Sequence, residues 1–249
     1  MKWPKVIAHR GGRRWAPENT LIAFSKSIEL GCDGIELDVQ RCASGELVVI
    51  HDHELSRTTN GVGLVKDATL PELKRLSAGA WYDKAFTAER IPTLEEVLAL
   101  VSGKLVINIE IKNAPVEYEG IEDDLLSALA EYEFCDRLII SSFDHQFMRR
   151  LHKLRTGLKL AVLADAILID LKEYAQKLGA TCWHPCYGSL TATAIDDAHA
   201  AGLEVNAWTL NEQRDWVEAA KNGLDAIITD DPVKLKELIE RADRVAAGS

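Results

Sequence analysis

Gly34-Ile35-Glu36-Leu37-Asp38-Val39-Gln40 and Leu105-Val106-Ile107-Asn108-Ile109-Glu110-Ile111-Lys112 are two segments in which polar and apolar residues alternate, as they do in β-strands. Successive side chains on a strand point to opposite faces, so Glu36 and Asp38 share one face of the first segment. Glu110 lies on the polar face of the second, and the Ile and Leu residues point the other way. Clustered carboxylates on a packed face need a cation to offset their burial. We therefore expect Glu36, Asp38 and Glu110 to bind one hard divalent metal ion.

Strand-like and helix-like segments alternate along nearly the whole chain, which is the pattern of a parallel α/β fold. Besides the two segments above, apolar runs predict six further strands with amphipathic helical segments between them. The eight predicted strands cover residues 5–9, 34–40, 104–112, 137–143, 159–164, 180–185, 204–210 and 224–230. Eight such units in 249 residues are typical of a (β/α)8 TIM barrel. We therefore predict one TIM-barrel domain of the α/β class over residues 1–249.

The region after the second strand departs from this alternation. A tight turn at Ala43-Ser44-Gly45 precedes a strand over residues 46–51, which predicts a β-hairpin that brings His51 roughly opposite Glu36. Residues 53–92 then contain a capped helix of their own, and a structureless loop of that length is uncommon. We expect residues 53–92 to form a small inserted subdomain that caps the barrel mouth and restricts the site to small soluble ligands.

Composition argues against several classes of partner. The net charge of −10 and the sequence pI of about 5.2 would repel a polyanion such as nucleic acid. The chain runs from Met1 directly into an apolar segment without a recognisable signal peptide, and no apolar run reaches membrane-spanning length. We therefore expect a cytoplasmic protein without stable membrane association. The five cysteines form no paired motif and are expected to be buried reduced thiols. The oligomeric state is left open.

A further set of polar residues is predicted at strand ends. The first strand ends in Ala8-His9-Arg10-Gly11-Gly12, and in a barrel the carboxyl ends of the strands build the active site. His9, Arg10, His51 and Lys112 therefore point to the same mouth as the predicted metal ligands. Cations neutralise phosphate oxygens, and two imidazoles can act as base and acid in a displacement at phosphorus. This residue set favours catalysis at a phosphorus centre, although Lys112 could serve only as a counter-ion to a neighbouring carboxylate.

Two histidine-containing motifs resemble other kinds of metal site. Residues two apart along one strand cannot close a tetrahedral site, so Cys182-Trp183-His184-Pro185-Cys186 is expected to be structural packing. Contact between His184 and substrate at the mouth is the less favoured alternative. His51-Asp52-His53 resembles the His-x-His of barrel metallohydrolases, but that pair belongs near the first strand. The carboxylate trio favours Mg²⁺ or Ca²⁺ over zinc.

A series of short motifs runs from about residue 6 to residue 232. They are Ile7-Ala8-His9-Arg10-Gly11-Gly12, Ala16-Pro17-Glu18-Asn19-Thr20, Glu36-Leu37-Asp38-Val39, Val49-Ile50-His51-Asp52, Arg57-Thr58-Thr59-Asn60-Gly61, Ile91-Pro92-Thr93-Leu94, Asn108-Ile109-Glu110-Ile111-Lys112, Ser141-Ser142-Phe143, Ala207-Trp208-Thr209 and Ile228-Thr229-Asp230. In the content and order of these motifs, the chain resembles the bacterial, cytoplasmic glycerophosphodiester phosphodiesterases.

This resemblance implies hydrolysis of a glycerophosphodiester, such as glycerophosphocholine or glycerophosphoethanolamine, to glycerol 3-phosphate and an alcohol. It implies one divalent cation, Mg²⁺ or Ca²⁺, as cofactor, and it matches the family's inserted subdomain to residues 53–92. The site residues that it implies are Glu36, Asp38 and Glu110 for the metal ion, His9 and His51 for acid–base catalysis, Arg10 and Lys112 for the phosphate oxygens, and Phe143 and Trp208 for the pocket beside the glycerol. Strand-end aromatics are commonly core residues, so the last two roles depend on the resemblance.

Two alternative functions follow from the same barrel. One is a lipid phosphodiesterase resembling phosphatidylinositol-specific phospholipase C or sphingomyelinase D, which is disfavoured because the chain has no membrane-binding stretch. The other is a barrel that binds phosphodiesters or metal without turnover, which has no need of the pair His9 and His51. The sequence leaves open whether water attacks phosphorus directly or a glycerol hydroxyl first forms a cyclic phosphodiester. It also leaves open which histidine is the acid.

Overall fold

The computed structural model describes residues 2–247, and its centre is a closed barrel of eight parallel strands. The barrel strands are β1 (Lys5–Ala8), β2 (Gly34–Arg41), β4 (Val106–Ile111), β5 (Leu138–Ser142), β6 (Lys159–Ala164), β7 (Cys182–Pro185), β8 (Glu204–Ala207) and β9 (Ala226–Thr229). Strands β1 and β2 pair with each other and close the ring. The short strand β3 (Leu47–Val49) pairs antiparallel with β2 outside it. The predicted TIM barrel and its eight strands are therefore confirmed, with boundaries shifted by a few residues.

Helices lie outside the barrel strands. They are α1 (Leu21–Leu30), α2 (Leu70–Leu73), α3 (Leu94–Val101), α4 (Ile121–Leu129), α5 (His145–Lys153), α6 (Leu171–Leu178), α7 (Ala192–Ala200), α8 (Gln213–Lys221) and α9 (Pro232–Ala247). All helices but α2, which belongs to the segment after the hairpin, follow the barrel strands or the hairpin segment in chain order. Local sequence determines where several of them begin. At α3, the Glu96 amide donates to Thr93 Oγ1 at 3.3 Å and the Thr93 amide donates to Glu96 Oε2 at 2.9 Å, which is a capping box.

The alternation in β2 and β4 divides the two strands between core and barrel interior. Ile35, Leu37, Ile107 and Ile109 are fully buried and pack into the main apolar cluster between sheet and helices. The intervening polar residues point into the barrel. The register pairs Asp38 with Glu110, so the inward acids of the two strands come together at the same height.

The hairpin is shorter than predicted. Strand β3 ends at Val49, two residues before His51. The backbone then turns around the buried side chain of Gln40. The Gln40 amide nitrogen lies 3.1 Å from the carbonyl oxygens of Ile50 and His51 and 2.8 Å from that of Asp52. Backbone pairing with β2 reaches only one residue further, where the Ile50 amide donates to the Asp38 carbonyl oxygen at 2.9 Å. The Gln40 amide then holds the segment that carries His51.

Residues 53–92 contain α2 and two short 3₁₀ segments. Their apolar side chains form a second buried cluster with the outer side of the hairpin. Its buried members are Cys42, Val48, Ile50, Leu55, Val65, Leu73, Ala78 and Ile91. The cluster includes hairpin residues that precede residue 53, so it does not mark a subdomain boundary there. The boundary and the capping of the mouth both stay predictions.

All five cysteines are free, of which Cys32, Cys42 and Cys182 are buried and Cys135 and Cys186 are partly exposed. The expectation of buried thiols therefore holds for three of them. Within residues 2–247, no helix combines the length and apolarity needed to cross a membrane.

Candidate active site

The loop after β1 starts the site. Arg10, Gly11 and Gly12 have φ values of 52°, 81° and 92°, in the left-handed region that favours glycine. A Cβ on Gly11 would lie 2.8 Å from Ala23 Cβ, so this position has no room for a side chain. Arg10 is not glycine and is held in this conformation by its surroundings, which is common at functional sites. Its amide donates to Glu36 Oε2 at 2.9 Å.

Glu36, Asp38 and Glu110 form a compact buried cluster. One carboxylate oxygen from each lies within 4.8 Å of the others, and all three residues are buried. Burial raises the pKa of Glu36 well above its usual value, and the neighbouring charges of Asp38 and Glu110 add to this. Burial likewise raises the pKa of Glu110 to about 7. The predicted convergence of these acids is confirmed.

Two basic side chains face this cluster. Lys112 Nζ lies 2.5 Å from Glu110 Oε1 and 3.2 Å from Asp38 Oδ1, and Arg10 Nε lies 3.3 Å from Asp38 Oδ2. Burial alone would raise the pKa of Asp38, but Lys112 and Arg10 outweigh it and hold that pKa below its usual range. Lys112 is therefore a counter-ion, which was one of its two sequence interpretations. Its contact with phosphate stays a prediction.

The cluster fits a hard divalent ion. It offers only carboxylate oxygens, which Mg²⁺ and Ca²⁺ prefer. Burial, with repulsion from the neighbouring acids, keeps the pKa values of Glu36 and Glu110 raised although Lys112 and Arg10 oppose that shift. A divalent ion among the three carboxylates would remove this electrostatic cost.

His9 lies beside the acids and is oriented from behind. Its Nδ1 is 2.7 Å from Asp230 Oδ1, and its Nε2 is 3.9 Å from Glu36 Oε2. Asp230 is itself fixed by Asn211, whose side-chain amide donates to Oδ2 at 2.9 Å. Burial lowers the pKa of His9, although the hydrogen bond to Asp230 opposes that shift. With Nδ1–H donated to Asp230, the neutral ring presents Nε2 to the site.

His51 has the same arrangement. Its Nδ1 is 2.6 Å from Asp52 Oδ1, which leaves Nε2 free for chemistry. Burial lowers the pKa of His51, and the charge of Asp38 partly opposes this. Both imidazoles are thus oriented by a carboxylate at Nδ1.

A cavity of about 230 Å³ joins these groups. Its lining includes His9, Arg10, Arg13, Glu36, His51, Asn108, Glu110, Lys112, Phe143, Leu163, His184, Trp208, Thr209 and Ile228. Phe143 and Trp208 both line this cavity and meet edge to face, with ring centroids 5.7 Å apart; their contact with glycerol stays a prediction. His184 also lines it, but it is completely buried and its Nε2 lies 3.0 Å from Asn206 Nδ2, so both of its interpretations, structural packing and contact with substrate, stay predictions.

Four residues that organise the site were not assigned a role from sequence. They are Glu18, Asn19, Asp52 and Asp230, and all four lie inside the motifs quoted above. Glu18 is buried and accepts from Arg10 Nη1 at 2.8 Å. Asn19 Nδ2 donates to Asp38 Oδ2 at 2.8 Å. Their place in those motifs was the available signal, but motif membership alone does not show what each side chain contacts.

A (β/α)8 barrel with buried acids and two oriented imidazoles at its mouth has the equipment of a hydrolase that acts at phosphorus. Comparison with known proteins agrees. The model of the glycerophosphoryl diester phosphodiesterase family matches residues 9–234. A glycerophosphodiester phosphodiesterase of Caldanaerobacter subterraneus subsp. tengcongensis is 44% identical over 237 residues, covering 95% of this chain and 98% of that protein. One from Bacillus subtilis is 31% identical over 250 residues, covering 91% of this chain and 83% of that protein.

Solved structures show the same relationship. An Oleispira antarctica phosphodiesterase, in complex with the product sn-glycerol-3-phosphate, has a TM-score of 0.89 and 32% identity, covering 96% of this chain and 97% of that one. A glycerophosphodiester phosphodiesterase from Thermotoga maritima has a TM-score of 0.76 and 29% identity, covering 96% and 99%. This chain belongs to the glycerophosphoryl diester phosphodiesterase family. The predicted family and enzyme class are confirmed.

Proposed function

We propose that the protein hydrolyses small glycerophosphodiesters to glycerol 3-phosphate and an alcohol, with one divalent cation held by Glu36, Asp38 and Glu110. The observation that carries this proposal is the meeting of three buried carboxylates and two carboxylate-oriented histidines at one cavity. The Oleispira antarctica relative binds sn-glycerol-3-phosphate, which supports the same product here. When bound, Mg²⁺ or Ca²⁺ would neutralise a non-bridging phosphate oxygen and act as a Lewis acid.

Side chains of the protein itself would bind and orient the substrate. Arg10 and Lys112 project into the cavity beside the acids and would hold phosphate oxygens by charge-assisted hydrogen bonds. Phe143 and Trp208 form an apolar wall of the same cavity that suits the carbon face of glycerol. The cavity volume of about 230 Å³ matches a small polar ligand better than a phospholipid with its acyl chains.

His9 and His51 would move the two protons that the reaction requires. One neutral imidazole accepts the proton of the attacking hydroxyl at Nε2, while the other, as imidazolium, gives its Nε2 proton to the departing alkoxide. Asp230 and Asp52 stabilise the charged imidazole in either assignment, since each accepts from Nδ1. Burial lowers the pKa of both rings, which favours the neutral form that the base requires. The same shift disfavours the imidazolium that the acid requires, and the carboxylate at Nδ1 opposes it.

The direct experiment is a metal-supplemented assay of purified protein against glycerophosphodiesters, lysophospholipids and an aryl phosphodiester. We expect glycerol 3-phosphate release from the glycerophosphodiesters in the presence of Mg²⁺ or Ca²⁺ and its loss with a chelator. Preferential cleavage of lysophospholipids would favour the lipid-acting alternative, and binding without turnover of any substrate would favour the non-catalytic one. A cytoplasmic location and the absence of stable membrane and nucleic-acid partners stay predictions.

A further inference from the structure

Arg57, which comes from the segment after the hairpin, connects two carboxylates at the edge of the site. On one side its Nη2 and Nη1 donate to Glu18 Oε1 and Oε2 at 2.8 and 3.1 Å. On the other side its Nη2 donates to Asp52 Oδ1 at 3.0 Å, and its Nε donates to Asp52 Oδ2. The planar guanidinium thus makes two paired contacts at once, which lysine cannot reproduce.

The contact to Asp52 leads directly to His51. Asp52 Oδ1 accepts from both Arg57 and His51 Nδ1, the latter at 2.6 Å. Hydrogen bonds from Arg57 are the main cause of an Asp52 pKa of about 2, so Asp52 remains a carboxylate acceptor. A fixed acceptor at Nδ1 determines both the tautomer and the ring orientation of His51. Arg57 therefore controls the geometry of His51 through one intermediate.

Glu18 is the fixed end of this chain of contacts. It is only 3% exposed and accepts from Arg10, Arg13 and Arg57. A buried carboxylate held by three guanidinium groups has little freedom to move. Glu18 follows β1, whereas Arg57 follows the hairpin. The contact between Glu18 and Arg57 therefore joins the part of the mouth that carries His9 to the part that carries His51.

We infer that Arg57, anchored by Glu18, is a positioning residue for catalysis that holds His51 through Asp52. The inserted segment then supplies part of the catalytic geometry in addition to any effect on access. This inference depends on the proposed function, because it assigns His51 a catalytic role.

The test is a double-mutant cycle of Arg57→Ala and Asp52→Asn, measured as kcat and KM on a glycerophosphodiester with saturating divalent cation. A loss of aligned geometry should lower kcat by roughly tenfold to a hundredfold in each single variant, with little change in KM. Because both act through His51, adding Arg57→Ala to Asp52→Asn should cost no more than about a further twofold. Losses that multiply in the double variant, or an unchanged kcat in Arg57→Ala, would overturn the inference.

Two further measurements separate positioning from a general loss of stability. Guanidinium at millimolar concentration should restore part of the kcat of Arg57→Ala, whereas it would not restore a variant that is merely unstable, because so little denaturant leaves stability unchanged. Arg57→Lys keeps the charge but loses the paired contacts, so it should fold normally and still have lowered kcat. Arg75→Ala, at an exposed position of the same segment, is the matched control and should match wild type. Inactivity of the wild-type protein on every glycerophosphodiester would instead reject the proposed function.

Discussion

The two ends of the barrel both carry charged side chains, but they arrange them differently. At the carboxyl end, the three acids Glu36, Asp38 and Glu110 crowd within 4.8 Å and are buried. At the amino end, a smaller cavity of about 150 Å³ is lined by the first residues of several strands. There Lys159 Nζ and Glu204 Oε1 form a one-to-one ion pair at 2.6 Å, with side chains 31% and 41% exposed.

The difference indicates that charges at the amino end contribute to stability, whereas those at the carboxyl end contribute to function. At the amino end Lys159 and Glu204 neutralise each other and stay in contact with water, so this pair needs no bound ion. At the carboxyl end the three acids outnumber the two cations that reach them, and burial together with repulsion from neighbouring acids raises the pKa values of Glu36 and Glu110. An electrostatic arrangement that is unfavourable until a ligand arrives is expected of a binding site, and in TIM barrels the carboxyl end is the catalytic end.

The largest effect is expected from removing one charge at the carboxyl end. Glu36→Gln, Asp38→Asn and Glu110→Gln should each abolish or severely weaken divalent metal binding, because each removes a predicted oxygen ligand. Glu204→Gln removes an acid of the same type at the amino end and should bind metal like wild type. Calorimetric titration with Mg²⁺ and Ca²⁺ measures this. Equal affinity in all four variants would mean that Glu36, Asp38 and Glu110 do not bind the metal ion.

The next largest effect is expected from removing either histidine. His9→Ala and His51→Ala should each lower turnover by about a hundredfold or more, which is the scale of losing one positioned acid or base. An aryl phosphodiester has a leaving group that departs without a proton. Its hydrolysis should suffer much less in whichever variant lacks the acid. Comparison of kcat for alkyl and aryl substrates would therefore distinguish the two roles, and identical losses on both substrates in both variants would contradict the assignment.

Much of this contrast could be predicted from sequence, because it follows from strand alternation. The period of two in β2 and β4 places Glu36 and Glu110 inside the barrel whatever the details of the loops. The partners of the histidines could not be predicted this way. Asp230 reaches His9 from 221 positions away along the chain, and local patterns carry no information about such contacts.

His51 shows the same limit at shorter range. Pairing rules predicted its delivery by a continuous strand, whereas the structure ends β3 at Val49 and turns the chain around Gln40. A buried glutamine within a strand has no sequence signature for this role. The hairpin itself was therefore predicted correctly, but the predicted extension of its second strand to residue 51 was wrong.

His184 gives a smaller, pH-dependent effect. Burial lowers the pKa of His184 to about 3, whereas an unfolded histidine titrates near 6.5. The unfolded state therefore takes up a proton first, so the free energy of unfolding should fall as pH decreases from about 6.5 towards 3. At pH 5 this contribution is about 2 kcal/mol. Chemical denaturation of His184→Gln between pH 7 and 5 should show a shallower decline than wild type, and an identical slope would contradict this explanation.

The smallest effect is expected at the amino end. Because the Lys159–Glu204 pair is partly exposed, Glu204→Gln should lower the free energy of unfolding by less than about 1 kcal/mol. Its turnover should equal that of wild type. Urea denaturation and the standard assay measure both quantities. A large loss of activity would mean that the two ends of the barrel are coupled, against the separation drawn above.

The central claim is that carboxylates bind the metal ion while the histidines move protons, and metal affinity in the histidine variants tests it most directly. Calorimetric titration of Mg²⁺ or Ca²⁺ into His9→Ala and His51→Ala should give affinities close to wild type, since imidazoles are poor ligands for hard cations. The same preparations should have lost most of their turnover. If metal binding disappears together with activity in both variants, at least one histidine belongs to the coordination shell and the division of roles is wrong.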